Sequence, residues 1–439
     1  MQLQAIYTNE TLKDRLVSTS LYLLLYLFGL NIILPFVSLE MLSYMPEAPD
    51  ESLAGLLRGI NENTSTIHNV SILALGVSAY YSASVITALV APFLYRERTG
   101  NEEAIRYLVK GLTFLFVITQ ASSYSQSVAR WFFDPGTPSY AVYVTMIILV
   151  TGAFICMWIA DQISAQGLMD GRICLLCIGF LRDFPSALVT ELSDKLRTGD
   201  MLQLGIELGT WMLILLGLVA FTQAVRYFPL PEEASPKVEA LTNPNLRIRL
   251  NVVDESPLYI ATQFIMLPLI MVQTVNPIGS EATASSLLVS LADSSSILSM
   301  VFNAIIVVVA TYLVVGIMLR AGRKTARINR WEESVLDVSE ERSYQVYFWQ
   351  VFRRLRLPLA LIFALISILP GLAVLVFDTT SAFGAYFGGF SLLLLVSLVT
   401  DFFSKVEHLA SDNPSIIGRG TTPELDLVYE LEYEYEEEE

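Results

Sequence analysis

Ten runs of mainly apolar residues, each close to bilayer-crossing length, decide what this chain can fold into. A hydrocarbon core about 30 Å thick takes about 20 helical residues to span. The runs cover 16–36, 71–94, 109–129, 140–161, 173–190, 203–225, 257–275, 298–319, 357–377 and 385–404. Lipid offers the backbone no hydrogen-bond partner, so such runs fold as helices that satisfy themselves. The fifth is the weakest, because Arg182, Asp183 and Pro185 fall near its end, and a short or broken helix is expected there. Composition agrees: 54% of residues are hydrophobic and 16% charged, with mean hydropathy +0.54. A soluble domain carries about 25% charged residues. The expected class is an all-α polytopic membrane protein.

Orientation follows from the Lys and Arg bias, because cytoplasmic loops keep the positive charge. With the N-terminus inside, 22 of the 27 basic residues fall on the cytoplasmic side; only Arg58, Arg130, Arg182, Lys195 and Arg197 fall outside. An even span count then puts both termini in the cytoplasm. Two inside loops are long. Residues 226–256 carry Arg226, Arg247 and Arg249, and residues 320–356 carry Arg323, Lys324, Arg327 and Arg330. Surface anchoring explains Arg and Trp at a membrane face. Loops longer than about 12–15 residues are more often functional or disordered, which favours docking of a soluble partner. Outside, residues 37–70 contain LAGLLRGI, too short to span and suited to a re-entrant or capping segment.

Much of the net charge of −16 comes from the end, where Glu430, Glu432, Glu434 and Glu436 to Glu439 crowd together. Residues 411–439 read as an acidic, solvated tail, with a docking role for a basic partner as the sharper alternative. Acidity argues against nucleic acid as a partner. The spacing of Cys174 and Cys177 is that of a redox or metal pair. Both lie in an apolar run with no nearby His, so buried structural thiols are expected. His68 and His408 have no ligand-spaced companions, and no nucleotide-binding loop is present. No catalytic residue, metal or cofactor is expected.

The second run, SILALGVSAYYSASVITALVAPFL, carries more small polar groups than lipid rewards: Ser71, Ser78, Ser82, Ser84 and Thr87, beside Tyr80 and Tyr81. Such groups let helices approach closely and hydrogen-bond across a pair. Ordinary helix packing and a specialised seam both fit that pattern.

The motifs resemble those of the SecY family, the channel subunits of protein translocases. SILALGVSAYYSAS resembles the family's second helix, and MWIADQISAQGLMDG at 157–171 its fourth. FGGFSLLLLVSLVTDFFSKVE at 387–407 resembles its tenth, while Asn251 and Pro257 match the start of its seventh. The resemblance implies two inverted five-helix halves, 1–190 and 191–410, closing around a pore. It implies a pore ring of Tyr81, Val85, Leu176, Phe180, Tyr259 and Leu394. It implies a lateral gate between the second and seventh helices, with Ser82, Ser84, Gln120, Thr262 and Gln263. A plug is implied near 53–60. A ring of apolar side chains blocks ions by dewetting and yields to a passing chain.

This chain departs from the family pattern in several places. Two ring positions are tyrosines where branched aliphatics are usual. Ala79 stands where a Pro is usual, and Asn61-Glu62-Asn63-Thr64 stands where Ser-Gly-Gly follows the plug. The loops after the sixth and eighth helices lack the family's basic pair and its Gly-Ile-Arg-Pro-Gly turn. With LYLFGLNIILPFVS near the start, the departures resemble the accessory SecY of Gram-positive bacteria. That resemblance implies a non-enzymatic channel of the bacterial cytoplasmic membrane, passively conducting unfolded preproteins. An accessory SecA-type ATPase would drive it, with a SecE-like small membrane subunit and further accessory secretion proteins beside it. Its substrates would be serine-rich glycosylated surface proteins. The alternatives are a general SecY translocase, a secondary solute transporter and a membrane scaffold. A transporter requires ionisable residues at mid-membrane. Asp161, Asp183 and Asp401 all fall near helix ends.

Overall fold

The apolar runs form helices, and their boundaries show which residues start and stop them. The computed structural model describes residues 10–38, 70–94, 102–134, 136–229, 245–249, 251, 253–264, 296–322 and 338–410. In chain order the helices are α1 Glu10–Leu30, α2 Ser78–Leu94, α3 Glu102–Phe132, α4 Ala141–Gln166, α5 Gly171–Thr198 and α6 Met201–Gln223. They continue with α7 over 256–264, α8 Ile297–Gly322, α9 Val338–Phe377 and α10 Gly389–Ala410. A helical turn, Ser381–Gly384 running into Ala385–Phe387, joins α9 to α10. Among the described residues, seven helices are long and apolar enough to cross a membrane.

Three boundaries differ from the sequence reading. The run 71–94 is helical only from Ser78. Its first residues form turns, with Gly76 at φ 56°, a left-handed conformation that costs glycine least. Ser71 pairs instead with Ile33 in an isolated bridge, where the first run has already left its helix. The fifth run is not broken. α5 continues for 28 residues through Pro185. Its start is fixed by Asp170, whose side chain accepts from Arg172 N at 2.9 Å. Its end is fixed by Gly199 at φ 83°, whose N–H donates to the Lys195 carbonyl. α9 is 40 residues long and begins at Val338, so the second half of the 320–356 loop is a helical extension of the span.

The loop after α6 is not irregular throughout. β1 Val225–Pro229 pairs antiparallel with β2 Asn245–Arg249, placing Arg226 opposite Ile248 and Arg247 opposite Tyr227. Among the described residues, this ribbon and two isolated bridges, Ile33 with Ser71 and Val37 with Phe133, are the β-structure in an otherwise helical fold. The plug segment 53–60, the basic cluster Arg323 to Arg330 and the tail 411–439 lie outside the described residues.

Packing joins α1 to α5 into one set, with α4 against α1, α3 and α5, and α2 against α3 and α5. In the other set α9 packs on α8 and α10, and α10 on α6. The sets meet where α5 touches α6 and α10, and where α2 touches α8.

One junction is ionic. Lys195 of α5 is buried with Glu207 of α6 at 3.0 Å and Glu191 at 3.8 Å. Its Nζ also donates to the carbonyls of Phe377 and Asp378, at 3.0 and 3.2 Å. Glu191 accepts from the backbone N–H and hydroxyl of Thr380, at 2.8 and 2.7 Å. The sequence reading overlooked Glu207, an ionisable residue inside the sixth span. Its carboxylate is committed to Lys195 rather than open to a solute. Removing one partner of a buried ion pair leaves an uncompensated charge, at about 3–5 kcal/mol. Lys195→Met is therefore expected to lower unfolding stability in detergent by about that amount. A change under about 1 kcal/mol would show that the cluster is solvated.

Candidate functional site: an aromatic ring and a polar seam

The two helix sets come together on Tyr81. Its ring meets Tyr259 of α7 edge-on at 4.6 Å, and both rings pack on Phe390 of α10, at 6.2 and 5.0 Å. Leu176 of α5 and Leu394 of α10 are buried in the same apolar cluster, and Val85 packs against it half-buried. Five of the six ring residues named from the sequence thus share one cluster. Phe180 does not. It stacks on Tyr386 at 4.3 Å in a second cluster with Phe383 and Phe387, one turn further along α5. Phe390 takes part in the ring instead, and the sequence reading passed over it because it precedes the motif residue Leu394 by only one turn.

The seam between α2 and α7 is polar. The Ser82 hydroxyl lies 2.6 Å from the Tyr259 hydroxyl and 2.8 Å from the Ser78 carbonyl. The Tyr259 hydroxyl lies 2.9 Å from that same carbonyl, and the two hydroxyl protons make two of the three bonds possible among these groups at a time. Tyr81 donates to Glu255 Oε1 at 3.0 Å. Small serines on α2 allow this approach, and tyrosines supply an apolar body with a polar tip. The other residues that the resemblance assigns to a gate stay with their own helices. Ser84 donates to the Tyr80 carbonyl and Thr262 to that of Leu258, at 2.9 and 3.0 Å. Gln120 and Gln263 are half-buried on α3 and α7.

Glu255 was not singled out in the sequence. It sits in the turn ahead of α7, 3% exposed. Asp254 turns the chain there at φ 48°, a left-handed conformation that Asp tolerates better than most residues. The one signal the sequence holds for it is a carboxylate directly before an apolar helix.

A second polar group lies on the other side of Tyr81. Tyr80 donates to Asp161 at 2.7 Å, and the Arg172 guanidinium lies 5.8 Å from the Tyr80 ring centre. Arg172 grips Asp170 with Nε and Nη2, at 3.1 and 2.6 Å. Burial pushes the Asp170 carboxyl up, but the Arg172 charge and hydrogen bonds outweigh it and hold it below its usual range. No group of three or more metal-ligating side chains occurs among the described residues. Cys156, Cys174 and Cys177 are buried free thiols.

These features define a polytopic helical membrane protein whose two helix sets close on an aromatic ring along one hydrogen-bonded seam. The SecY family model matches residues 71–403, most of the chain, and the protein belongs to that family. The chain is 23% identical to the protein translocase subunit SecY of Streptococcus sanguinis (strain SK36) over 425 residues, covering 92% of this chain and 95% of that one. It is 22% identical to the SecY of Aquifex aeolicus (strain VF5), covering 92% and 96%. The fold is similar to a solved protein-conducting channel, with TM-score 0.62 at 16% identity over 91% of this chain and 93% of that one. It is also similar to Sec61 in the canine ribosome–channel complex from the endoplasmic reticulum, with TM-score 0.61 at 15% identity over 91% and 93%.

Proposed function

We propose that this SecY-family protein is the conducting subunit of a dedicated accessory translocase. It passes unfolded polypeptides through the ring of Tyr81, Tyr259 and Phe390, and the α2–α7 seam opens to admit a signal sequence. The observation that carries this reading is the seam. Side-chain hydrogen bonds and a ring edge cross it beside the buried apolar cluster, and such directional contacts can part and re-form. The protein itself does no bond chemistry, so the driving force comes from a SecA-type ATPase in the cytoplasm. Docking falls to the basic loops: Arg226, Arg247 and Arg249 on the ribbon, and Arg323, Lys324, Arg327 and Arg330 ahead of α9 in the chain. Both termini are cytoplasmic, and a SecE-like helix braces the bundle.

Divergence supports the accessory branch. Identity to SecY subunits from distant bacteria stays between 21% and 27%, with no closer tie to one lineage among those compared. The tyrosine ring, Ala79 and the altered docking loops suit a motor and substrate of their own. Serine-rich glycosylated surface proteins are the proposed cargo.

A photoreactive residue at position 81 tests both parts. Two substrates are stalled in cells: an ordinary signal-bearing preprotein and a serine-rich surface glycoprotein. Crosslinks to the glycoprotein alone are expected. Crosslinks to both would make this a general translocase, and crosslinks to neither would favour a solute transporter.

A further inference from the structure

The seam holds one group that neither the ring nor the serines need. Glu255 is buried where α2, α5, α7 and α10 converge, and its carboxylate accepts from the Tyr81 hydroxyl, at Oε1, and from its own backbone N–H. Among the described residues its second oxygen, Oε2, is buried without a hydrogen-bond partner. A carboxylate held this way is poorly solvated, since an ionised group seeks several donors. A neutral acid fits the same geometry: the carbonyl oxygen takes the Tyr81 hydroxyl and the other oxygen carries the proton.

We propose that Glu255 is a proton-linked latch residue of the α2–α7 seam, neutral while the seam is shut and ionised once water enters it. The proposal rests on the reading of that seam as a gate. The surroundings favour the neutral form. Asp254 precedes it, Asp401 of α10 acts on it, and Cys177 of α5 faces it. Asp170 acts on its partner Tyr81, and Tyr259 lies on the far side of that ring. The charged groups that act on Glu255 itself, Asp254 and Asp401, are acidic, so ionising it adds like charge to the site, while Asp170 is paired with Arg172. Burial first, and then Asp254, push its carboxyl up to about 8. In an open, hydrated seam an ordinary glutamate titrates near 4.3.

The sign of the linkage follows. The shut state binds the proton more tightly than the open state. Below about pH 4.3 both states are protonated and pH has no effect. Between there and about 8, rising pH favours opening, by up to about tenfold per unit. Above about 8 the effect is complete.

Glu255→Gln separates this role from simple packing. The amide keeps a carbonyl for Tyr81 and cannot ionise. The full-length protein is reconstituted in planar bilayers, and its resting leak is measured between about pH 5 and pH 8.5. The wild-type leak is expected to rise about tenfold or more across that range, and the Glu255→Gln leak to stay low and flat. A flat wild-type profile, or the same slope in both proteins, would overturn the latch. Tyr81→Ala in the same bilayers keeps the two claims apart. If it conducts while wild type and Glu255→Gln share one profile, the gate stands and the latch fails. If it does not conduct, the gate reading fails and takes the latch with it.

Discussion

Tyr81→Ala is expected to raise the ion leak of the reconstituted protein about ten- to a hundredfold at fixed pH. The truncation removes an edge-to-face pair with Tyr259 and a hydrogen bond to Glu255, both made across the seam. The pair is worth about 0.5–1.5 kcal/mol and the bond about 1 kcal/mol. Because these contacts belong to the shut state, their loss moves the shut–open balance directly. Each 1.4 kcal/mol is about a factor of ten. Removing the ring also widens the constriction, which weakens its barrier to hydrated ions. Tyr259→Ala acts the same way through Ser82 and the Ser78 carbonyl. Single-channel recording separates more frequent opening from larger unit current. An unchanged leak in both variants would place the constriction elsewhere.

The sequence reading reached the fold because membrane helices announce themselves by apolar length. It missed the helix starts that depend on turns. Nothing in the run 71–94 marks Ser78 as its first helical residue except Gly76, whose left-handed backbone and N–H bond to the Leu73 carbonyl are evident only in the fold. Pro185 looked like a break, yet α5 runs past it with caps at both ends.

The clustering of Tyr81, Val85, Leu176, Tyr259 and Leu394 was reached through the family resemblance, position by position, and the two tyrosines among them depart from its pattern. The places of Phe180 and Phe390 were not legible, since periodicity cannot tell which of two facing turns points into a junction. Glu191 and Lys195 are one turn apart on α5, and Glu207 joins them only because α6 folds back on α5. Glu255 was hidden for the opposite reason. It stands beside Asp254 in what reads as a solvated loop edge, and only Tyr81, 174 residues earlier, shows that it is buried.

The gate itself is tested by clamping it. Cysteines at positions 82 and 259, in a background with Cys156, Cys174 and Cys177 replaced, straddle a contact that is 2.6 Å between hydroxyls in the native protein. A disulfide spans only about 5.5–6 Å between Cα atoms, so the pair is bridged with a reducible thiol crosslinker about as long as a tyrosine ring. The measurement is export of a signal-bearing polypeptide into inverted membrane vesicles before bridging, after bridging and after reduction. Export is expected to fall to background when the seam is bridged and to return on reduction, with either single cysteine unaffected by the reagent. Undiminished export through the bridged protein would mean that α2 and α7 need not part, and the account of the seam as a gate would be wrong.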